Sequence, residues 1–153
     1  MGIAAGQKVV DIGAGQGYFT IPAAIVVGST GMVYAVEPDP ARSNRIRRRI
    51  ASEGIGNVTV MTVGAEELGG ISAGSIDLAF SAFSLHHFND RKAALSEIKR
   101  VLRSGGVFYV WDRVPGRIIR HGTQVEELNS LSDGFAKFEL IDAGSTVRAR
   151  FTK

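Results

Sequence analysis

Cysteine is absent from the 153 residues, which removes disulfides, thiolate metal ligands and a cysteine nucleophile from consideration. Long apolar runs are absent as well, since none reaches the ~20 residues that cross a bilayer. The opening MGIAAGQ has neither the basic nor the apolar region of a signal peptide, and Gly6 stands where the myristoylation pattern requires Ser or Thr. No membrane association is expected, and the default setting is cytoplasmic. Proline is sparse at four residues, and no low-complexity stretch, internal repeat or long linker divides the chain. One domain over residues 1–153 is therefore expected. Charge of one sign is not concentrated either: 18 basic against 15 acidic residues give +3 without a basic tail, a balance that neither implies nor excludes nucleic acid.

What is present is 44% hydrophobic residues and 19 glycines, enough apolar material for a core and many places where the backbone turns or approaches something closely. Lys8–Ile12 (KVVDI) reads as a buried strand feeding a glycine cluster, and the run from Tyr18 (YFTIPAAIVV) as a buried helix closed by Gly28 to Gly31. Met32–Val36 is a second strand. Asp39 as N-cap with Pro40 at the first helical position starts a helix that runs to about Glu53. Val58–Thr62 and Ile76–Ser81 read as further strands. Asn89 or Asp90 can cap a helix whose inner face is Ala94, Leu95, Ile98, Val101 and Leu102, with Gly105 and Gly106 as its stop. Val107–Trp111 is the fifth strand, a weaker helix covers about Thr123–Ser132, and Lys137–Ile141 with Thr146–Phe151 alternate as a terminal hairpin. Strands alternating with helices predict a mostly parallel sheet between two helical layers, with the hairpin as its antiparallel edge.

The chemistry concentrates in VVDIGAGQGYFT, residues 9–20. Gly13, Gly15 and Gly17 fall at a strand-to-helix turn, where open α/β sheets bind ligands. A dinucleotide fingerprint spaces its glycines G-x-G-x-x-G; here the third comes one residue early. Asp11 would also repel a pyrophosphate, whereas it can offset a cationic ligand. Glu37, at the end of the second strand, is placed to accept both hydroxyls of a ribose.

With these residues stands a wider pattern: D-x-G-x-G-x-G at 11–17, Glu37, GAEEL at 64–68, IDLAFSAFSLHHF at 76–88 and EIKRVLRSGGVFYVWD at 97–112. In this order they closely resemble the class I S-adenosylmethionine-dependent methyltransferases. The resemblance implies a three-layer α/β/α fold around a seven-stranded sheet of order 3-2-1-4-5-7-6, and S-adenosylmethionine as cofactor with S-adenosylhomocysteine as product. It implies that Gly13, Ala14, Gly15 and Gly17 line the methionine and ribose portion with Asp11 beneath. Glu37 would hold the ribose hydroxyls, Pro38 would pack on adenine, Ala65 and Glu66 would reach the adenine amine, and Ser81 would approach the amino-acid moiety. Many relatives carry Asp where this chain has Gly64, which leaves the amine to Glu66 or to backbone.

His86 is the candidate proton acceptor, since imidazole titrates near neutral pH; a cap for the next helix is its structural alternative. Two adjacent histidines without acidic or thiolate partners make a poor metal site, and none is expected. Arg42, Arg45, Arg47, Arg48 and Arg49 crowd a helix that should flank the sheet away from the strand ends, so a solvated face outweighs a nucleic-acid footprint. Arg117, Arg120 and His121 follow strand five on the rim where the family recognises its acceptor. The acceptor itself is unidentified: a small molecule is favoured, RNA and protein stay open, and no Asn-Pro-Pro-aromatic run marks an amino-group nucleic-acid methyltransferase. Relatives usually carry one or two helices before strand one, whereas seven residues precede Lys8 here, so an open pocket is expected: either a partner subunit or second copy covers it, or the chain binds a large acceptor, or a lid is missing. A noncatalytic cofactor-binding subunit and a nucleotide-dependent oxidoreductase are the rival readings.

Overall fold

The computed structural model describes residues 1–116 and 121–153. Seven strands form one sheet in the order β3-β2-β1-β4-β5-β7-β6, as the resemblance implies. β1 (Lys8–Ile12), β2 (Met32–Val36), β3 (Val58–Met61), β4 (Ile76–Ala82) and β5 (Leu102–Arg113) run parallel, and β6 (Lys137–Ala143) with β7 (Thr146–Thr152) closes the edge antiparallel. α1 (Thr20–Val27) and α2 (Pro40–Ser52) cover one face; α3 (Arg91–Val101) and the short α4 (Val125–Ser130) cover the other. No described helix is long and apolar enough to cross a membrane.

Local chemistry explains the elements. Asp39 caps α2 by accepting from the amides of Ala41 and Arg42 at 2.7 and 2.9 Å, with Pro40 already set at helical φ. Asp90 caps α3 through the amide of Ala93 at 3.0 Å. Central strands are buried on both faces: Val9 and Val33 meet Ala23, Ala24 and Val27 of α1, while Val10 and Ala79 face Ala94 and Ile98 of α3. That double burial is why these strands read as continuous apolar runs. Asp77 is a staple, accepting from the amide of Lys8 at 2.8 Å and the Nε of Arg103 at 2.7 Å.

One expectation fails. Gly105 and Gly106 do not stop α3, which ends at Val101, and β5 begins at once with Leu102. The glycines serve a bulge, because pairing with β4 jumps from Ile76↔Leu102 to Leu78↔Val107. A Cβ on Gly106 would lie 2.9 Å from the carbonyl oxygen of Arg103 and 3.0 Å from that of Ile76, so the backbone crowding there admits only glycine.

The hairpin is fastened by Phe151, fully buried, whose ring centroid lies 5.6, 5.3 and 4.9 Å from those of Phe108, Phe135 and Phe138. Phe151→Ala is expected to cost about 3–5 kcal/mol, read as a lowered midpoint in urea unfolding; a loss under about 1 kcal/mol would show that the hairpin is not part of the cooperative core.

Candidate functional site

Where β1 and β4 diverge toward opposite helices, the carboxyl ends of the strands leave a crevice. Its cavity of about 450 Å³ is lined by the bend Gly13–Gly15, by Glu37 and Pro38, by Ala65 and Glu66, and by Phe83, Ser84 and His87 among others. Four chain segments that lie far apart in sequence thus converge on one site.

The bend is built from inside. Gly13, Gly15 and Gly17 have φ of 75°, 58° and 83°, the left-handed region that favours glycine, and a Cβ on Gly13 would collide with the side chain of Ser84. Its amides are committed: Gly13 and Ala14 donate to the carbonyl of Val36 at 2.8 and 3.0 Å, Gly17 donates to Ala14 at 2.9 Å, and Gly15 donates to Glu37 Oε2 at 2.8 Å. A pyrophosphate requires such amides to be available. This bend offers it none of the four and presents a carboxylate instead, so the dinucleotide alternative does not fit.

Glu37 is 3% exposed and accepts from Gly15 through Oε2 and from the amide of Asp39 through Oε1 at 3.0 Å. Each oxygen retains a lone pair, the requirement for taking two vicinal hydroxyls. Val36, Pro38 and Ala65 supply the apolar walls of a slot for a planar base. Glu66 accepts from the amide of Asp90 through Oε1 at 2.9 Å, and its Oε2 lies 2.6 Å from where a Cβ on Gly64 would be. The carboxylate of Glu66 therefore fills the space vacated by the aspartate that this chain lacks. An adenosine fits this donor and acceptor set.

Asp11, Gly17, Ser81 and His86 are not in the cavity lining. Asp11 is buried under the bend, where Thr20 Oγ1 donates to it at 2.6 Å. Gly17 packs on Ile46 and Ile21. Ser81 shares a 2.7 Å hydrogen bond with Ser84, whose hydroxyl also lies 2.6 Å from the carbonyl of Ile12, so Ser81 meets the crevice through Ser84. His86 is turned to β5: its Nδ1 lies 2.8 Å from Asp112 Oδ1, and Asp112 also accepts from Thr123 Oγ1 at 2.8 Å. His87 takes the cavity wall, its ring 4.0 Å from that of His86. Burial, then the neighbouring His86, hold its pKa below the usual histidine value against the pull of Asp112.

Tyr18, Phe19, Phe83, Ser84 and Phe88 also line the cavity without having been assigned a role from sequence, and so do His87, the second of the histidine pair, and Arg42 of the arginine-rich helix. Position was the available signal, since most of them flank a strand end at the switch point. Arg42 corrects the view of its helix as remote from the strand ends, because the first turn of α2 borders the crevice. Arg47 is bound to Asn44, Thr62 and the carbonyl of Val60, and Arg49 pairs with Glu53. Arg117 and Arg120 lie outside the described residues. Among those described, no cluster of His, Asp and Glu is arranged to hold a metal ion.

Residues 10–110 match the methyltransferase domain family. The chain belongs to the class I S-adenosylmethionine-dependent methyltransferases. Among relatives of this chain, the aklanonic acid methyltransferase DauC of Streptomyces sp. (strain C5) is 34% identical over 66% of this chain and 46% of its own length. A ubiquinone/menaquinone biosynthesis C-methyltransferase UbiE from Psychromonas ingrahamii is 36% identical over 69% of this chain and 42% of its own. The methyltransferase domain here therefore matches less than half the length of these curated relatives. In fold it is similar to a SAM-dependent methyltransferase from Aquifex aeolicus, with a TM-score of 0.80 at 22% identity over 99% of this chain and 84% of the other.

Burial pushes the Asp11 carboxyl up to about 7 from 3.8, Thr20 opposes this, and the charge of Glu37 adds to it. The folded state therefore holds its proton between about pH 4 and 7 while the unfolded state does not. Stability from this group is full below pH 4 and falls as pH rises to 7, by roughly 4 kcal/mol in all. The thermal midpoint of the ligand-free protein is expected to drop between pH 5 and 8, and Asp11→Asn, which can still accept from Thr20, should flatten that drop. Equal pH slopes for both proteins in differential scanning fluorimetry would refute the assignment.

Proposed function

We propose that this chain transfers the methyl group of S-adenosylmethionine to a small-molecule acceptor. The observation that carries this is the Glu37 carboxylate held against a glycine bend whose own amides are already bonded, a surface that accepts hydroxyls and refuses phosphate.

When bound, S-adenosylmethionine supplies a methyl group on a positively charged sulfur. The residues of the chain have three tasks. Glu37 takes the ribose hydroxyls, Val36, Pro38 and Ala65 flank adenine, and Glu66 accepts from its amine. Gly13, Ala14 and Gly15 admit the methionine portion close to backbone, and Ser84, backed by Ser81, borders it. The aromatic side chains beyond Ala82 then hold the acceptor in line, and alignment within ~3–3.5 Å supplies much of the acceleration in such a displacement.

Where the acceptor must lose a proton, the double-histidine turn is placed to take it. His87 borders the cavity and is biased to the neutral form; His86, fixed by Asp112, supports its ring. A partner subunit or second copy covering the crevice belongs to the same reading.

Calorimetry with S-adenosylmethionine and with NAD tests the cofactor: the first should bind, and Glu37→Ala should weaken it about 100-fold, the scale of two hydrogen bonds to a charged group. Binding of NAD alone would retire the proposal. Mass spectrometry of cell extract incubated with methyl-labelled S-adenosylmethionine should reveal a labelled small molecule; cofactor binding without any incorporation would favour a noncatalytic subunit. With that acceptor, His87→Asn is expected to lower kcat by ~10²- to 10⁴-fold and to remove the acidic limb of the pH profile, whereas an unchanged profile would exclude His87 as base.

A further inference from the structure

Phe83 is the one residue other than glycine with positive φ among those described, at 57°. A bulky side chain in the left-handed region is a steric outlier that glycine or asparagine would avoid, and such strain persists where the surroundings enforce it, often at functional sites. The enforcement comes from β5. The amide of Phe83 donates to the carbonyl of Trp111 at 2.7 Å, its ring packs 4.8 Å from the Trp111 ring, and the Arg113 guanidinium lies 5.7 Å over it. Phe19 meets the same indole at 6.0 Å. Phe19, Phe83 and the 74% exposed Tyr18 line the cavity, and Trp111 stands behind Phe19 and Phe83.

The cavity is thus divided. Glu37 and Glu66 lie at the nucleoside end, while the end beyond Ala82 is aromatic, with no carboxylate in its described lining and a guanidinium packed behind Phe83. A cationic amine would find no counter-charge at that end; a flat π-system would find ring faces and edges. We propose that the acceptor is a planar, conjugated, uncharged or anionic ring compound that stacks in this aromatic corner, and that Phe83 is the residue that selects it. This rests on the methyl-transfer reading, which makes the aromatic end the acceptor end.

Trp111 is the only tryptophan, so its indole N–H gives a single resonance beside the proposed site. With S-adenosylhomocysteine present, 2-naphthol should shift that resonance in a saturable way, whereas decahydro-2-naphthol and phenethylammonium at equal concentration should shift it at most a tenth as far. Phe83→Leu, which keeps bulk but removes the ring, should raise the 2-naphthol Kd at least tenfold, and Phe83→Tyr should restore it. Phe83→Gly should weaken binding similarly without lowering the thermal midpoint in proportion to the lost ring, because glycine is at ease at this φ. Equal response to the saturated compound, preference for the ammonium, or unchanged affinity in Phe83→Leu overturns the proposal. Calorimetry with S-adenosylhomocysteine on the same samples separates the two failures: binding of it without 2-naphthol sinks the acceptor class alone, and absence of both sinks the methyl-transfer reading with it.

Discussion

The carboxylate of Glu37 is the joint on which the site is hung. It is buried, and one oxygen takes the amide of Gly15 while the other takes that of Asp39. The β1–α1 bend and the β2–α2 turn are thereby fixed to each other. An isolated buried carboxylate is costly, and two amide donors offset much of that cost. The carbonyl of Val36, taking the amides of Gly13 and Ala14, locks the same two segments from the preceding residue. The bend is set before any ligand arrives, and the ligand need not order it.

This arrangement separates two roles that a sequence motif blends. The glycines provide clearance and left-handed φ, but their amides are spent within the protein, those of Gly13 and Gly15 on Val36 and Glu37 and that of Gly17 on Ala14. In the proposed function the acid at the end of β2 is the recognition group, and the site selects for hydroxyl donors. Asp11 lies out of the lining and under the bend, where it accepts from Thr20, and in the same proposal it acts on the ligand through its field. A carboxyl that holds its proton when the crevice lacks a cation is poised to release it when a cation arrives, since opposite charge favours the ionised form.

Much of the fold was legible because its signals are local. Asp39-Pro40, the apolar strand runs and the alternation of Val147, Ala149 and Phe151 each dictate an element without reference to the rest. Strand order came from the family resemblance and not from any single residue. The end of α3 misled because glycines that follow a helical pattern usually stop it; here the crowding that requires Gly106 comes from the carbonyls of Arg103 and Ile76, and the Ile76 contact across the sheet has no trace in the local pattern. Spacing from strand ends places Glu37, Gly13 and Gly15, whereas Ala65 and Glu66 come from the family resemblance. Phe83 and Ser84 were not, for their importance depends on a backbone that turns left-handed after β4.

The two histidines show the same limit most sharply. Leu85–His87 is a single 3-10 turn, in which successive side chains diverge by about a third of a revolution. Adjacent residues must therefore face different surroundings, and composition cannot say which faces where. The decision is made by Asp112 at the far end of β5. Fully buried, it takes the Thr123 hydroxyl, the amides of His86 and Arg113, and His86 Nδ1. With so many donors on one carboxylate, rotating His86 outward would leave a buried acceptor short of a partner, a loss that burial makes costly. His86 is held inward for that reason, and His87 is left at the cavity wall.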